Sequence, residues 1–126
     1  MRLLAVFALT AACAAPGEWP QTRDADWVVR VLQRAGFEQH GCTGSAFTIE
    51  LSGRRDLYVW AFSARQLSVE PGMRTRVVAG VRVQVNRIRA AWRVGRRNVW
   101  IQAGPTTRDL PPERLWRPLV VASRLR

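Results

Sequence analysis

The sequence predicts a two-layer α+β domain, in which an N-terminal helix and a short, kinked C-terminal helix cover one face of an antiparallel meander sheet of four or five strands. Three observations predict it: helical spacing of apolar residues near the start, alternation of apolar and polar residues through the middle, and a second helical pattern near the end. A chain of 126 residues is long enough for one hydrophobic core and too short for two ordinary domains.

The first helix is predicted to start at Thr22 or Asp24, either of which is a good N-cap residue. Its apolar positions recur three and four residues apart, at Trp27, Val28, Val31, Leu32 and Ala35. Gly36 is expected to end the helix in the left-handed conformation. Phe37 is then placed to make the apolar contact that often accompanies a glycine C-cap.

The first two strands follow a predicted loop at residues 38–45, which contains two glycines and no periodicity. Residues 47–51 alternate between apolar and polar side chains, as a half-buried strand does. Residues 57–62 are apolar on both faces, and one face carries Tyr58, Trp60 and Phe62. We expect this strand to be central, with the aromatic side chains buried under the terminal helix. A stacking platform for bases or sugars is the alternative.

A long strand is predicted over residues 77–85, where valine occupies most of the odd positions. The phase of the alternation flips at Asn86 and Arg87, which indicates a turn or a bulge before the next strand. That strand runs to Val94. A turn at residues 95–98 then leads into a last strand at residues 99–101.

The C-terminal helix is predicted from Leu110 onwards, where prolines suit a first helical turn and apolar residues follow at near-helical spacing. Pro118 lies inside this pattern. Because a proline within a helix removes a backbone hydrogen bond, we expect two short turns or a kinked helix.

Residues 1–13 have the order of an export signal: one positive charge, an apolar run, and small residues before Cys13. As a helix the apolar part would rise about 20 Å, which is too short to span a hydrocarbon core of about 30 Å. The segment resembles the lipobox of bacterial lipoproteins, with Thr10 where such signals usually have leucine. The resemblance implies that Cys13 carries a lipid. Ordinary signal-peptidase cleavage after Ala14 is the alternative.

The chain is therefore predicted to consist of a signal or lipobox-like segment at residues 1–13, a tether at residues 14–22, and a single α+β domain at residues 23–126. Whether Cys13 is lipidated or removed, Cys42 is left as the only thiol, so no intramolecular disulfide is expected. We expect the protein to be exported, either to the outer face of the cell membrane through a lipid anchor or as a secreted protein.

Positive charge is concentrated in the second half of the chain. All twenty basic residues are arginine, and residues 71–126 hold the whole net charge of +11. Because no carboxylate lies between Glu70 and Asp109, we expect few internal salt bridges there and a positive, anion-binding face. Its candidate residues are Arg74, Arg76, Arg82, Arg87, Arg89, Arg93, Arg96 and Arg97.

The partners expected for such a face are anionic lipid headgroups, wall polymers or an acidic protein, bound with a strength that falls as salt rises. The alternative is a solvated face that protects a small sheet from edge pairing. Export disfavours nucleic acid as a partner, because it removes the protein from most nucleic acid.

His40 and Cys42 are the only pair that suggests nucleophilic catalysis or metal binding. Two ligands do not make a zinc site, and no third group to orient a catalytic pair is evident. No glycine-rich phosphate loop or nucleophile elbow occurs either, so neither a catalytic residue nor a cofactor is predicted. The expected function is a non-enzymatic envelope protein. A small secreted hydrolase or thiol enzyme using His40 and Cys42, and a nucleic-acid-binding module, are the alternatives.

Overall fold

The computed structural model describes residues 22–43, 46–51, 55–104 and 107–125. The helices in these ranges are α1 (Thr22–Ala35) and α2 (Glu113–Ser123). The strands are β1 (Gln39–Thr43), β2 (Ala46–Glu50), β3 (Arg55–Ser63), β4 (Arg74–Val78), β5 (Val81–Val85), β6 (Arg89–Val94) and β7 (Arg97–Ala103). The prediction of an α+β fold with a helix at each end is confirmed.

The seven described strands form one antiparallel sheet in the order β1-β2-β3-β7-β6-β5-β4. It consists of two meanders, β1–β3 and β4–β7, whose last strands pair with each other at the centre, from Leu57 and Ala103 to Ser63 and Arg97. Residues 64–73, here called the crossover, therefore connect the centre of the sheet to its far edge. The prediction of an antiparallel sheet is confirmed, whereas a single meander of four or five strands is wrong.

β1 lies within the segment that was predicted to be a loop. It is an edge strand that pairs only with β2, and its register shifts between Gln39 and Cys42. Such an irregularity breaks the alternation of side chains along a strand. Residues 38–45 therefore show no strand alternation in the sequence, and their extended conformation depends on the pairing with β2.

β4 and β5 replace the single long strand predicted over residues 77–85. Ala79 and Gly80 both have positive φ angles, 51° and 79°, and form a two-residue hairpin turn between the paired residues Val78 and Val81. This turn reverses the alternation, so Val78 is buried and Val77 is 68% exposed. The predicted break at Asn86 and Arg87 is confirmed, because these residues connect β5 to β6.

The end of α1 follows the sequence prediction. Gly36 has a φ of 82°, and the backbone N–H groups of Gly36 and Phe37 donate to the carbonyl oxygens of Gln33 and Leu32 at 3.1 and 2.9 Å. Together these two bonds make the Schellman motif. Phe37 packs against the core, as expected for the residue after such a cap.

α2 is one continuous helix of 11 residues that includes Pro118. Pro112 occupies its N-cap position, and the indole N–H of Trp116 donates to the carbonyl oxygen of Pro111 at 2.9 Å. The prediction of a short C-terminal helix is confirmed, and the alternative of two separate turns is wrong.

The core lies between the two helices and one face of the sheet. Its largest fully buried side chains include Trp92 on β6 and Trp116 on α2, whose rings stack with centroids 6.5 Å apart. The indole N–H of Trp92 also donates to the Ser123 hydroxyl at 2.9 Å. Among the described residues the buried core cluster runs from Trp27 to Ala122, and all of it is present in a chain that begins at residue 14.

The face of the sheet opposite the helices is here called the open face. β3 is central, as predicted, and its residues Leu57 and Val59 point into the core. Since side chains alternate along a strand, Tyr58, Trp60 and Phe62 lie on the open face. The prediction that these aromatic side chains are buried under the terminal helix is therefore wrong.

Candidate anion-binding site

The structure divides the eight candidate arginines between the two sides of the sheet. Five lie on the open face or in turns, and three lie on the helix-covered side. The open face carries Arg82, Arg89 and Arg93, the turns carry Arg87 and Arg96, and the helix-covered side carries Arg74, Arg76 and Arg97.

Arg97 holds α1 against the sheet. Its guanidinium lies 2.9 Å from the carboxylate of Asp24 in the first turn of α1, and 4.8 Å above the ring of Trp27. The other Asp24 oxygen accepts a hydrogen bond from the Ser63 hydroxyl at 3.0 Å. Because the Asp24 side chain is only 6% exposed, Arg97 is the cation that compensates a buried charge.

Arg89 attaches the crossover to the open face. Its guanidinium contacts both carboxylate oxygens of Glu70 at 2.9 and 3.0 Å and donates to the side chain of Gln102 at 2.7 Å. The side-chain N–H of Asn86 lies 3.5 Å from the same carboxylate. Arg89 is therefore already occupied by an internal anion.

Arg93 and Asn98 hold the start of the crossover. The Arg93 guanidinium donates to the Asn98 side-chain oxygen at 2.9 Å and to the carbonyl oxygens of Ala64 and Arg65 at 2.5 and 2.7 Å. The Asn98 amide donates to the carbonyl oxygen of Gln66 at 2.9 Å. Within the described residues all acceptors of Arg93 are neutral, and no carboxylate there pairs with its positive charge.

Arg76 and Arg87 pair with carboxylates from the C-terminal segment. Arg76 lies 3.1 Å from Glu113, and Arg87 lies 3.5 Å from Asp109. Arg89 and Arg97 are also paired, so four of the eight arginines have carboxylate partners. All four partners lie outside residues 71–108, which contain no carboxylate. The interpretation that few salt bridges form there is wrong, because the fold brings distant carboxylates to it.

A depression of 520 Å³ opens where β3 ends beside the β6–β7 turn. It is lined by Ser63, Ala64, Arg65, Arg93 and Arg96, and it is here called the basic depression. Arg65 and Arg96 are exposed, and no ion pair involves either among the described residues. Three arginines thus line this surface, and none of its described lining residues is a carboxylate.

Arg65 is the residue that sequence reasoning missed. It lies in the crossover, 31 positions from Arg96, and nothing in the local sequence indicates that the two are neighbours. The pairing of Ser63 with Arg97 brings the crossover beside the β6–β7 turn, and the backbone N–H of Ala64 donates to the carbonyl oxygen of Arg96 at 2.9 Å. Only the β3–β7 pairing could have identified Arg65.

Two tryptophans stack on the open face beyond the basic depression. The rings of Trp60 and Trp100 are nearly parallel, with an interplanar angle of 13° and centroids 6.0 Å apart. Trp100 is 5% exposed, and its indole N–H has no acceptor in the part of the chain that the structure describes. Trp60 is half-buried and uses one ring face against Trp100, which leaves less of it for an external base or sugar.

His40 and Cys42 both lie in β1, at the edge of the sheet. Their side chains are outside the described residues. Within those residues, no three His, Cys, Asp or Glu side chains are grouped as a metal site requires. Cys13 and the whole lipobox-like segment also lie outside the described residues.

No protein-family model matches this chain, and no curated protein or solved structure is significantly similar to it. Neither described helix combines the length and the apolar character needed to cross a bilayer. The candidate site therefore rests on its geometry and charge.

Proposed function

We propose that this chain is an exported, non-enzymatic envelope protein, anchored through a lipid on Cys13, whose domain binds an anionic polymer at the basic depression. The ligand groups are phosphates or carboxylates, because the planar guanidinium fork binds either one with two parallel hydrogen bonds. The lipid anchor is supported by the resemblance of residues 1–13 to a lipobox.

One observation carries the binding proposal: Arg93 is a half-buried cation whose acceptors in the described part of the chain are all neutral, and Arg65 and Arg96 line the same depression. Like charges held together repel one another, and a bound anion relieves that repulsion. Ser63, which lines the depression, donates to the carboxylate of Asp24, and that carboxylate is already paired with Arg97. An external anion would therefore meet three positive groups, with no competing carboxylate among the described residues that line the depression.

The lining of the depression favours a polymer over an enclosed small molecule. Sites for small apolar ligands are built mainly from hydrophobic and aromatic side chains, whereas arginines dominate here. Each exposed guanidinium contributes modestly, so affinity requires several contacts along one ligand. A polyanion supplies such contacts, and its binding weakens as salt rises.

Changing Arg65→Gln together with Arg96→Gln is expected to weaken binding of polyphosphate or polyglutamate by about tenfold at low salt, since two exposed charge contacts are lost. The measurement is fluorescence anisotropy of a labelled polyanion against residues 14–126 across a salt series. Arg82→Gln with Arg87→Gln removes the same charge away from the depression and is expected to bind almost as the unchanged protein does. Arg93 is left intact, because it also holds the crossover.

Equal losses in the two paired variants would contradict a localised site and leave only a general effect of net charge. Single-stranded DNA is the third probe in the same assay. Binding to DNA that exceeds binding to polyphosphate and depends on Trp60 would instead support the nucleic-acid alternative.

The lipid anchor has its own test in a bacterial host. The full chain is expected in the membrane fraction, with the mass of a diacylglyceryl group on an N-terminal Cys13 fragment. The variant Cys13→Ser is expected to leave that fraction or to remain unprocessed. An unmodified mature chain that begins at Ala15 would contradict lipidation and support ordinary cleavage after Ala14.

A further inference from the structure

α2 carries a second arginine-rich surface, on the outside of the helix layer. Its buried side holds Trp116, Leu119 and Val120 in the core. Its exposed residues recur at helical spacing and continue just past the helix end, so they form one stripe. This stripe, here called the α2 stripe, consists of Arg114, Arg117, Pro118, Val121 and Leu125.

A groove of 320 Å³ separates the α2 stripe from the end of α1. Arg34 of α1 completes the cationic rim, and its guanidinium donates to the carbonyl oxygen of Leu125 at 2.8 Å. The floor is aliphatic, and Val121 and Leu125 are 46% and 54% exposed. Large aliphatic side chains and guanidinium groups thus alternate on one surface.

Among the described residues, carboxylates balance only part of the positive charge of this surface. Glu113 is the one carboxylate that contacts an arginine of the α2 stripe among the described residues. Its side chain is 17% exposed and lies between Arg76 at 3.1 Å and Arg117 at 2.8 Å, so two cations share it. Arg114 is exposed and takes part in no ion pair within the described ranges.

We propose that the α2 stripe and its groove dock the domain on a bilayer surface rich in anionic phospholipid headgroups. Guanidinium groups bind the lipid phosphates while their apolar stems, together with Val121 and Leu125, enter the boundary between headgroups and acyl chains. The exposed aliphatic side chains would contribute nothing to the binding of a soluble polyanion. The combination of both is what favours a bilayer.

Two variants of residues 14–126 test this surface by sedimentation with phosphatidylglycerol-containing vesicles. Arg114→Gln with Arg117→Gln is expected to lower the partition coefficient about thirtyfold, since each arginine near an anionic bilayer contributes about a factor of five. Val121→Ser with Leu125→Ser is expected to lower it about tenfold through lost apolar burial. Pure phosphatidylcholine vesicles are expected to bind the unchanged domain far more weakly.

Each variant has a matched control away from the two helices. Arg82→Gln with Arg87→Gln makes the same change in net charge, and Val69→Ser with Val77→Ser removes two valines that are 60% and 68% exposed. Both controls are expected to bind vesicles as the unchanged domain does. Unchanged partitioning of either stripe variant, or an equal loss in its control, would overturn the proposal.

The membrane-docking proposal and the proposed polymer site can be contradicted independently of each other. The stripe variants are expected to bind polyphosphate normally, because the basic depression lies at a sheet end formed by β3 and the β6–β7 turn. If they lost polyphosphate binding and vesicle binding together, the α2 stripe would be a general anion site and membrane docking would be overturned.

Discussion

Replacing Trp92 with alanine is expected to destabilise the domain by about 4 kcal/mol, within the range observed for buried tryptophans. Trp92 is fully buried, stacks on Trp116 and donates its indole N–H to Ser123. Its ring connects the sheet to α2, so the alanine substitution would leave a cavity between the sheet and the helix layer. Because small domains have total stabilities of about 5–15 kcal/mol, this loss would be a large fraction of the free energy of unfolding.

The measurement is urea unfolding of residues 14–126 followed by circular dichroism. The control Trp92→Phe keeps most of the apolar volume and removes the hydrogen bond to Ser123, so a loss of about 1–2 kcal/mol is expected. A loss below about 1 kcal/mol for Trp92→Ala would contradict the placement of this side chain in the core.

Arg97→Met is expected to cost about 3 kcal/mol, because it leaves the buried carboxylate of Asp24 without its cation. Methionine keeps much of the apolar stem that packs over Trp27, so the loss reports mainly on charge. The neighbouring Arg96→Met removes an equal charge at an exposed position and is expected to change the free energy of unfolding by less than about 0.5 kcal/mol.

A double variant isolates the electrostatic part of this effect. Asp24→Asn removes the buried charge, and Asn keeps an acceptor for the Ser63 hydroxyl. We therefore expect Arg97→Met with Asp24→Asn to be more stable than Arg97→Met alone, which is a coupling that independent sites do not show. Unfolding of Arg97→Met at the same urea concentration as the unchanged protein would contradict the role assigned to Arg97.

The sequence predicts best where structure depends on neighbouring residues. The Gly36 cap, the central strand β3 and the break after β5 follow from local conformational preferences and alternation. β1 could not be predicted, because its pairing with β2 creates it. The Ala79–Gly80 turn was missed because alanine rarely adopts positive φ and the valines on both sides continue the strand pattern.

The candidate site depended on contacts that composition does not show. The arginine excess predicts a positive face, but Arg89 and Arg97 are paired with Glu70 and Asp24, which lie earlier in the chain. Arg65 joins Arg96 only because β3 pairs with β7. The sequence did not indicate the α2 stripe, because the same helix also supplies core residues. Apolar periodicity identifies the buried side of a helix and carries no information on the function of its exposed side.

The most direct test of polymer binding at the basic depression is a nuclear magnetic resonance titration of residues 14–126 with polyphosphate. The amide signals of residues 63–66 and 93–97 are expected to shift with increasing ligand, while those of α2 stay in place. Shifts concentrated in α2, or no shifts at low salt, would contradict the claim that Arg65, Arg93 and Arg96 form an anion-binding site.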